Sequence, residues 1–112
     1  MRYLMLVCTE PIDDPAGGPD DIERWVETHD ASGVRVWGDR LADAGEARLV
    51  RVRGAGTSVE EGPLHPAHGA IAGIDILECE SLDQAVAVAL DHPMARGGVI
   101  EVRPFYDSEA EG

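Results

Sequence analysis

Apolar residues recur at helical spacing in residues 82–90. The spacing i, i+3, i+4, i+7 and i+8 predicts a helix with one stripe against a sheet. The stripe consists of Leu82, Ala85, Val86, Ala89 and Leu90. Ser81 precedes it as a helix N-cap, and Gln84 completes a capping box. Pro93 ends the helix, so His92 lies at its carbonyl end, where protonation is favoured. We expect Leu90 to be buried at the end of the stripe.

Three segments have the composition of buried strands. Residues 2–8 form a continuous apolar run, and residues 99–104 contain clustered β-branched side chains closed by a proline. In residues 71–79, apolar side chains fall on both faces of a period-two pattern. A strand that is apolar on both faces is typical of the middle of a sheet, so we expect this strand to be central.

The first half of the chain repeats a strand–helix–strand plan. An acidic loop rich in Pro and Gly leads to a helix capped by Asp20 or Asp21 and closed by Gly33. The apolar stripe of this helix consists of Ile22, Trp25, Val26 and His29. A strand is predicted at residues 34–41 and a half-exposed strand at residues 47–53, whereas residues 54–69 are expected to be irregular.

We interpret the order as β-α-β-β-α-β, which holds four of these five strand segments, in a single domain covering residues 1–112. Right-handed crossovers then give an α+β, ferredoxin-like antiparallel sheet with both helices on one face. The second face carries apolar residues and has no helix to cover it. Because monomers seldom expose such a face, we expect a homodimer in which two sheet faces pair.

The net charge of the chain and its basic residues disfavour several classes of partner and site. The formal net charge is −13, which disfavours nucleic acids and anionic membranes. All nine basic residues are arginines, so the chain has neither a Schiff-base lysine nor a phosphate-loop lysine. Cys8 and Cys79 fall in predicted strands and are expected to be buried, reduced thiols. No signal peptide or membrane span is visible, so we expect a cytoplasmic protein. We also expect no cofactor.

Several segments together resemble a known family. The tail GIDILECESLDQAVAVALDHPMARGGVIEVRPF, with GVRVWGDRL and ARLVRVR before it, is similar to the YCII-related family in its DGPF-type branch. The resemblance implies a ferredoxin-like fold paired as a dimeric α/β barrel. It also implies either a small-molecule enzyme, as in relatives that eliminate chloride from chlorinated rings, or a protein that works beside a sigma factor.

The namesake motif of that branch is altered here. Asp-Gly-Pro-Phe is replaced by Glu61, Gly62, Pro63 and Leu64, and the later Glu and Lys of the pattern fall on Pro66 and His68. The shorter YCII branch is implied to use a His–Asp pair, with the His near the start of the first helix. No histidine occupies the matching position near residues 19–20.

The segment around the altered motif carries the candidate chemistry. Glu61 is a candidate general base, and His65 and His68 are candidate general acids. A histidine pair spaced in this way without a third ligand is a weak metal signal, so we expect no metal. The alternative is a solvated surface loop.

We expect the loop at residues 61–68 to line the largest pocket with Trp37 or His29. Arg40, Arg51 and Arg53 are alternative candidates for holding a substrate carboxylate, and surface ion pairing within this acidic protein is the interpretation we favour for them. His29 alone is better explained as a core histidine. Two functions stay open: a small-molecule enzyme that uses acid–base chemistry for elimination or isomerisation, and a non-catalytic ligand-binding or regulatory module associated with a sigma factor.

Overall fold

The computed structural model describes residues 1–9, 19–63 and 71–106. The strands are β1 (Arg2–Thr9), β2 (Arg35–Arg40), β3 (Arg48–Arg53), β4 (Gly56–Glu61), β5 (Ile71–Glu78) and β6 (Gly98–Pro104). The helices are α1 (Pro19–Ala31), α2 (Leu82–Leu90) and α3 (Met94–Gly97), with a 3₁₀ turn at Ala44–Glu46.

The main sheet contains four strands in the order β2-β5-β1-β6, and every neighbouring pair is antiparallel. This α+β arrangement is compatible with a ferredoxin-like fold. The predicted β-α-β-β-α-β order holds for the elements of this sheet, with β3 and β4 inserted between its second and third strands along the chain. The central position predicted for residues 71–79 is confirmed, because β5 pairs with both β1 and β2.

The core lies on one face of the sheet. Alternate side chains of β1, namely Tyr3, Met5 and Val7, are buried there beside Leu77 of β5. Both long helices contribute to the same cluster, α1 through Trp25 and α2 through three residues: Ala85, Val88 and Ala89. Complete burial of a side chain such as Met5 contributes roughly 1.5–3 kcal/mol. The helices therefore cover the face that carries the odd-numbered residues of β1.

Helix α2 has the predicted start but a different buried stripe. The Ser81 hydroxyl accepts a hydrogen bond from the Gln84 amide at 3.1 Å, and the Gln84 side chain accepts one from the Glu80 amide at 2.7 Å. The expected burial of Leu90 is wrong, because this side chain is 72% exposed. The buried positions are offset around the helix to Ala85, Val88 and Ala89. The segment is apolar almost all round, so its periodicity did not fix which side faces the sheet.

Helix α1 is joined to α2 through its tryptophan. The indole Nε1 of Trp25 donates a hydrogen bond to the carbonyl of Val88 at 3.0 Å. The helix begins at Pro19, slightly before the predicted caps. It is followed by Gly33 with φ +79°, which confirms the predicted glycine beyond its C-terminus. This hydrogen bond between the two helices holds α1 in position above the sheet.

The stretch expected to be irregular contains a strand. Residues 47–53 were predicted as a strand, and β3 confirms this. However, β3 pairs with β4, which occupies part of the segment expected to lack structure. The Gly54-Ala55 turn, with Gly54 at φ +25°, joins the two strands. The prediction failed here because β4 contains a single large apolar residue, Val59, among polar ones.

The second face of the main sheet is apolar and has no helix among the described residues. Leu4 and Leu6 of β1 pair with Ile76 and Ile74 of β5, and all four are half-buried. Trp37 of β2 pairs with Ile76 and is 50% exposed. We refer to this surface, formed by Leu4, Leu6, Trp37, Ile74 and Ile76, as the open face.

Candidate functional site

A cavity of about 630 Å³ lies between α1 and the sheet. Its apolar wall consists of Val7, Ile22, Trp25, Val26 and Met94. Gly38 and Gly73 also line it and contribute no side chain, which leaves room beside the sheet. A mostly apolar, concave space with a few polar groups is the usual form of a small-molecule site, so this cavity is the candidate site.

A buried ion pair forms part of the cavity lining. The Arg35 Nε donates to Asp75 Oδ1 at 2.7 Å, and the Arg35 Nη1 donates to Asp30 Oδ1 at 3.0 Å. The Asp75 side chain is only 9% exposed and that of Arg35 14% exposed. Gly38 is opposite Asp75 in the register, and a Cβ at this glycine would collide with Asp75 Oδ1. The pair therefore requires glycine at position 38.

A bulge in β2 explains why Arg35 points into the structure. Arg35 pairs with Leu77, whereas Trp37 pairs with Ile76, so Val36 is the extra residue. Strict alternation would place Arg35 and Trp37 on one face. The bulge instead sends Arg35 to the helix-covered face and Trp37 to the open face. Beyond it, Arg40 pairs with Gly73 and lines the cavity.

Burial and the contacts between the two charged partners act in opposite directions on the pKa values of Asp75 and Arg35. Burial raises the pKa of the Asp75 carboxyl, although the hydrogen bond and charge of Arg35 act in the opposite direction. For Arg35, burial lowers the pKa of the guanidinium, but its hydrogen bonds to Asp75 and Asp30 outweigh burial and the net shift is upward. The guanidinium thus stays charged, and Asp75 holds a proton more readily than an exposed aspartate.

His92 is a neutral, buried imidazole beside Trp25. Burial lowers its pKa to about 4, which corrects the expectation that the helix end favours protonation. The ring Nδ1 accepts a hydrogen bond from the Met94 amide at 3.0 Å, so the neutral ring carries its proton on Nε2. Its ring packs edge-on against Trp25 at 4.6 Å between centroids. His92 therefore lines the cavity as a neutral ring that carries its proton on Nε2.

The candidate residues that were named from the sequence lie in different parts of the structure. Arg40 lines the cavity. His29 is half-buried and packs against Trp25 at 4.9 Å between ring centroids, outside the set that lines the cavity. Trp37 lies on the open face. Glu61 is exposed on β4. His65 and His68 lie outside the described residues, so the catalytic roles of Glu61, His65 and His68 stay predictions.

Apart from Arg40, sequence reasoning missed the polar residues that line the cavity. Asp75 carried a usable signal, because an acidic residue interrupts the apolar strand IAGIDILE. Its partner Arg35 is 40 residues earlier in the chain, and sequence spacing alone does not pair them. His92 was assigned to a helix end, since the packing of Trp25 over it depends on the tertiary fold.

A comparison with family models shows to which protein family the chain belongs. The model of the YCII-related domain matches residues 1–109. The chain belongs to the YCII-related family. A search of curated proteins found no significant match.

Two further properties of this YCII-related protein are relevant to its chemistry. Within the described residues, no three side chains of His, Cys, Asp or Glu come together as a metal site. Nor does any helix in this part of the chain have the length and apolar character needed to cross a membrane. Cys79 is buried as predicted, and burial raises the pKa of its thiol, whereas Cys8 is only half-buried.

Proposed function

We propose that this YCII-related protein binds a small organic monocarboxylate in the cavity between α1 and the sheet. The observation that carries the proposal is Arg40, which lines this mostly apolar cavity and has no acidic side-chain partner among the described residues. A guanidinium recognises a carboxylate through two parallel hydrogen bonds. Glu23 and Asp39 also line the cavity and disfavour a ligand with a second negative charge.

The remaining lining fits the body of such a ligand. Ile22, Val26 and Met94 offer apolar contacts, and the neutral His92 offers a donor to an oxygen of the ligand. The Arg35–Asp75 pair is already satisfied internally, so it shapes the cavity without adding net charge. These features favour a flat or branched acid that is mostly hydrocarbon.

Acid–base catalysis by elimination or isomerisation is the second candidate function. Asp75 favours it, because a buried carboxyl with a raised pKa beside a cavity is suited to accepting a proton from a ligand carbon. His92 would then donate through Nε2 to the oxygen that gains charge. The predicted roles of Glu61, His65 and His68 belong to the same hypothesis. A non-catalytic module, including one beside a sigma factor, is the alternative.

The binding proposal is tested by NMR titration with benzoate and with its neutral analogue benzamide. We expect benzoate to shift the methyl signals of Ile22, Val26 and Met94. Arg40→Gln should weaken benzoate binding by about tenfold to a hundredfold, since a charged hydrogen bond contributes roughly 1.5–3 kcal/mol, and should leave benzamide binding unchanged. Arg53→Gln, an exposed arginine on β3, is the matched control. Equal benzoate affinity in all three proteins would refute the role of Arg40.

The two candidate functions are separated by Asp75→Asn. If the protein is catalytic, deuterium from solvent should enter the carbon next to the carbonyl of a bound keto acid, and Asp75→Asn should abolish this exchange while binding persists. Binding without exchange in the wild-type protein would favour the non-catalytic module.

We also propose that the protein is a cytoplasmic homodimer of the dimeric α/β barrel type, in the DGPF-type branch. Support for pairing comes from the half-buried apolar side chains of the open face, such as Leu6 and Ile74. Light scattering at micromolar concentration should give twice the mass of the chain, and a monomer would contradict pairing. The free, buried thiol of Cys79 supports a reducing compartment.

A further inference from the structure

Two opposite charges line the cavity without a partner for their side chains. Arg35 and Asp75 pair with each other. The Asp39 carboxylate accepts a hydrogen bond from the Arg40 amide at 2.8 Å. Within the described residues, the Glu23 carboxylate and the Arg40 guanidinium form no ion pair or hydrogen bond, either with each other or with a third group. This part of the lining therefore offers one unpaired anion and one unpaired cation.

The fold puts these two charges on opposite walls of the cavity. Arg40 pairs with Gly73 of β5, and Gly73 is opposite Val7, whose side chain belongs to the buried core. The Arg40 side chain therefore leaves the sheet on its helix-covered face. Glu23 lies on α1, and α1 packs against β2. Because the two charged groups do not meet as an ion pair, a ligand can lie between them.

A ligand that carries both charges fits this arrangement better than a simple acid does. A carboxylate alone pairs with Arg40 but is repelled by Glu23. An ammonium group on the same ligand replaces that repulsion with a charged hydrogen bond. An amino acid carries both groups on one carbon and has no net charge at neutral pH. The apolar wall, which includes Ile22, Val26 and Met94, accommodates a hydrocarbon side chain.

We propose that the ligand of the cavity is a zwitterionic amino acid with an apolar side chain. Arg40 holds its carboxylate, and Glu23 accepts hydrogen bonds from its ammonium group. The inference rests on the proposed function, since such an amino acid is one kind of monocarboxylate. It adds Glu23 as the residue that distinguishes amino acids from other organic acids. Both residues are exposed, so solvent weakens each of these contacts.

The test compares three ligands that share a phenylethyl body. 3-Phenylpropanoate carries only the carboxylate, 2-phenylethylamine only the ammonium group, and L-phenylalanine both. Affinities are measured at neutral pH and low salt by NMR titration of the full chain, from the methyl signals of Ile22, Val26 and Met94. We expect L-phenylalanine to bind about twofold to fivefold more tightly than 3-phenylpropanoate, as for an exposed charge pair. Added salt should reduce this ratio.

Three variants assign the preference to its residues. Glu23→Gln should weaken the binding of L-phenylalanine, and it should leave 3-phenylpropanoate binding at least as tight. The matched control is Glu27→Gln, one turn further along α1 and outside the cavity lining, which should leave the ratio of the two affinities unchanged. Arg40→Gln should weaken both carboxylate ligands without weakening 2-phenylethylamine. Because all three residues are exposed, the variants should fold, and the main-sheet amide signals check this.

The possible results separate this inference from the proposal on which it rests. A preference for L-phenylalanine that Glu23→Gln abolishes and Glu27→Gln keeps supports the amino acid. The amino acid is excluded, and the monocarboxylate stands, if 3-phenylpropanoate binds through Arg40 at least as tightly as L-phenylalanine. The same conclusion follows if Glu23→Gln leaves the ratio of affinities unchanged. If neither carboxylate ligand binds, or if Arg40→Gln weakens neither, both proposals fail.

Discussion

Arg35→Met should strongly destabilise the protein at neutral pH. The substitution keeps a long apolar side chain but removes the guanidinium 2.7 Å from Asp75. It leaves a carboxylate that is only 9% exposed without a counter-charge. Breaking a buried pair on one side costs about 3–5 kcal/mol. The second contact of Arg35, to the exposed Asp30, accounts for less than about 1 kcal/mol of that loss.

The loss should depend on pH in a specified direction. Burial already raises the pKa of Asp75 above its ordinary value, and removing Arg35 removes the interactions that oppose this shift. A carboxyl with a raised folded-state pKa contributes stability below its unfolded pKa of about 3.9, and this contribution is lost as pH rises through the folded-state pKa. The deficit of the variant relative to the wild type should therefore be largest near pH 8 and shrink toward pH 4.

Urea unfolding followed by tryptophan fluorescence, to which the buried Trp25 and the half-exposed Trp37 both contribute, measures both effects. The free energy of unfolding is compared at each pH for the wild type, Arg35→Met, Asp75→Asn and the double variant. We expect the deficit from Arg35→Met to fall by more than about half between pH 8 and pH 4. With Asp75→Asn in the background, the deficit should no longer vary with pH. A deficit that is constant with pH in both backgrounds would refute the argument that Asp75 is the uncompensated charge.

Two other predictions concern the core and the buried histidine. Met5→Ala should lower the free energy of unfolding by about 2–5 kcal/mol because Met5 is fully buried. Leu90→Ala should change it by less than about 0.5 kcal/mol. Similar urea midpoints for the two variants would contradict the observed orientation of α2. Because burial lowers the pKa of His92 to about 4, the neutral ring makes its full contribution to the free energy of unfolding above about pH 6.5. This contribution is lost as the pH falls toward 4. His92→Asn keeps an acceptor for the Met94 amide and should flatten this acid slope in urea titrations, and an unchanged slope would exclude His92 as its source.

The predictions were correct where the local sequence signal and the packing favour the same structure. The Ser81 cap, the glycine after α1 and the central strand β5 each rest on local chemistry or on the composition of a single segment. The orientation of α2 did not follow in the same way. Leu90 and Val86 are apolar but exposed, since the segment offers apolar residues on every side and the sheet selects only one of them.

The cavity depends on features with no local signature. The bulge at Val36 reverses the alternation of β2 and turns Arg35 toward the helices. Sequence periodicity does not reveal this, because regular alternation places Arg35 on the same face as Trp37. β4 was missed because Val59 is its single large apolar residue, so the strand lacks the apolar alternation that identifies buried strands.

The location of Arg35 and Asp75 is itself informative about function. Their neighbours on the helix-covered face, such as Leu77 and Met5, are fully buried and apolar. Replacing a buried ion pair by well-packed apolar residues is often neutral or stabilising, so stability alone does not explain charges at this point in the sheet. Gly38 adds a second constraint, because any side chain there would displace the Asp75 carboxylate. Both features border the same cavity. The pair and Gly38 therefore shape the same part of the cavity wall, where Arg35 holds the Asp75 carboxylate and neutralises its charge.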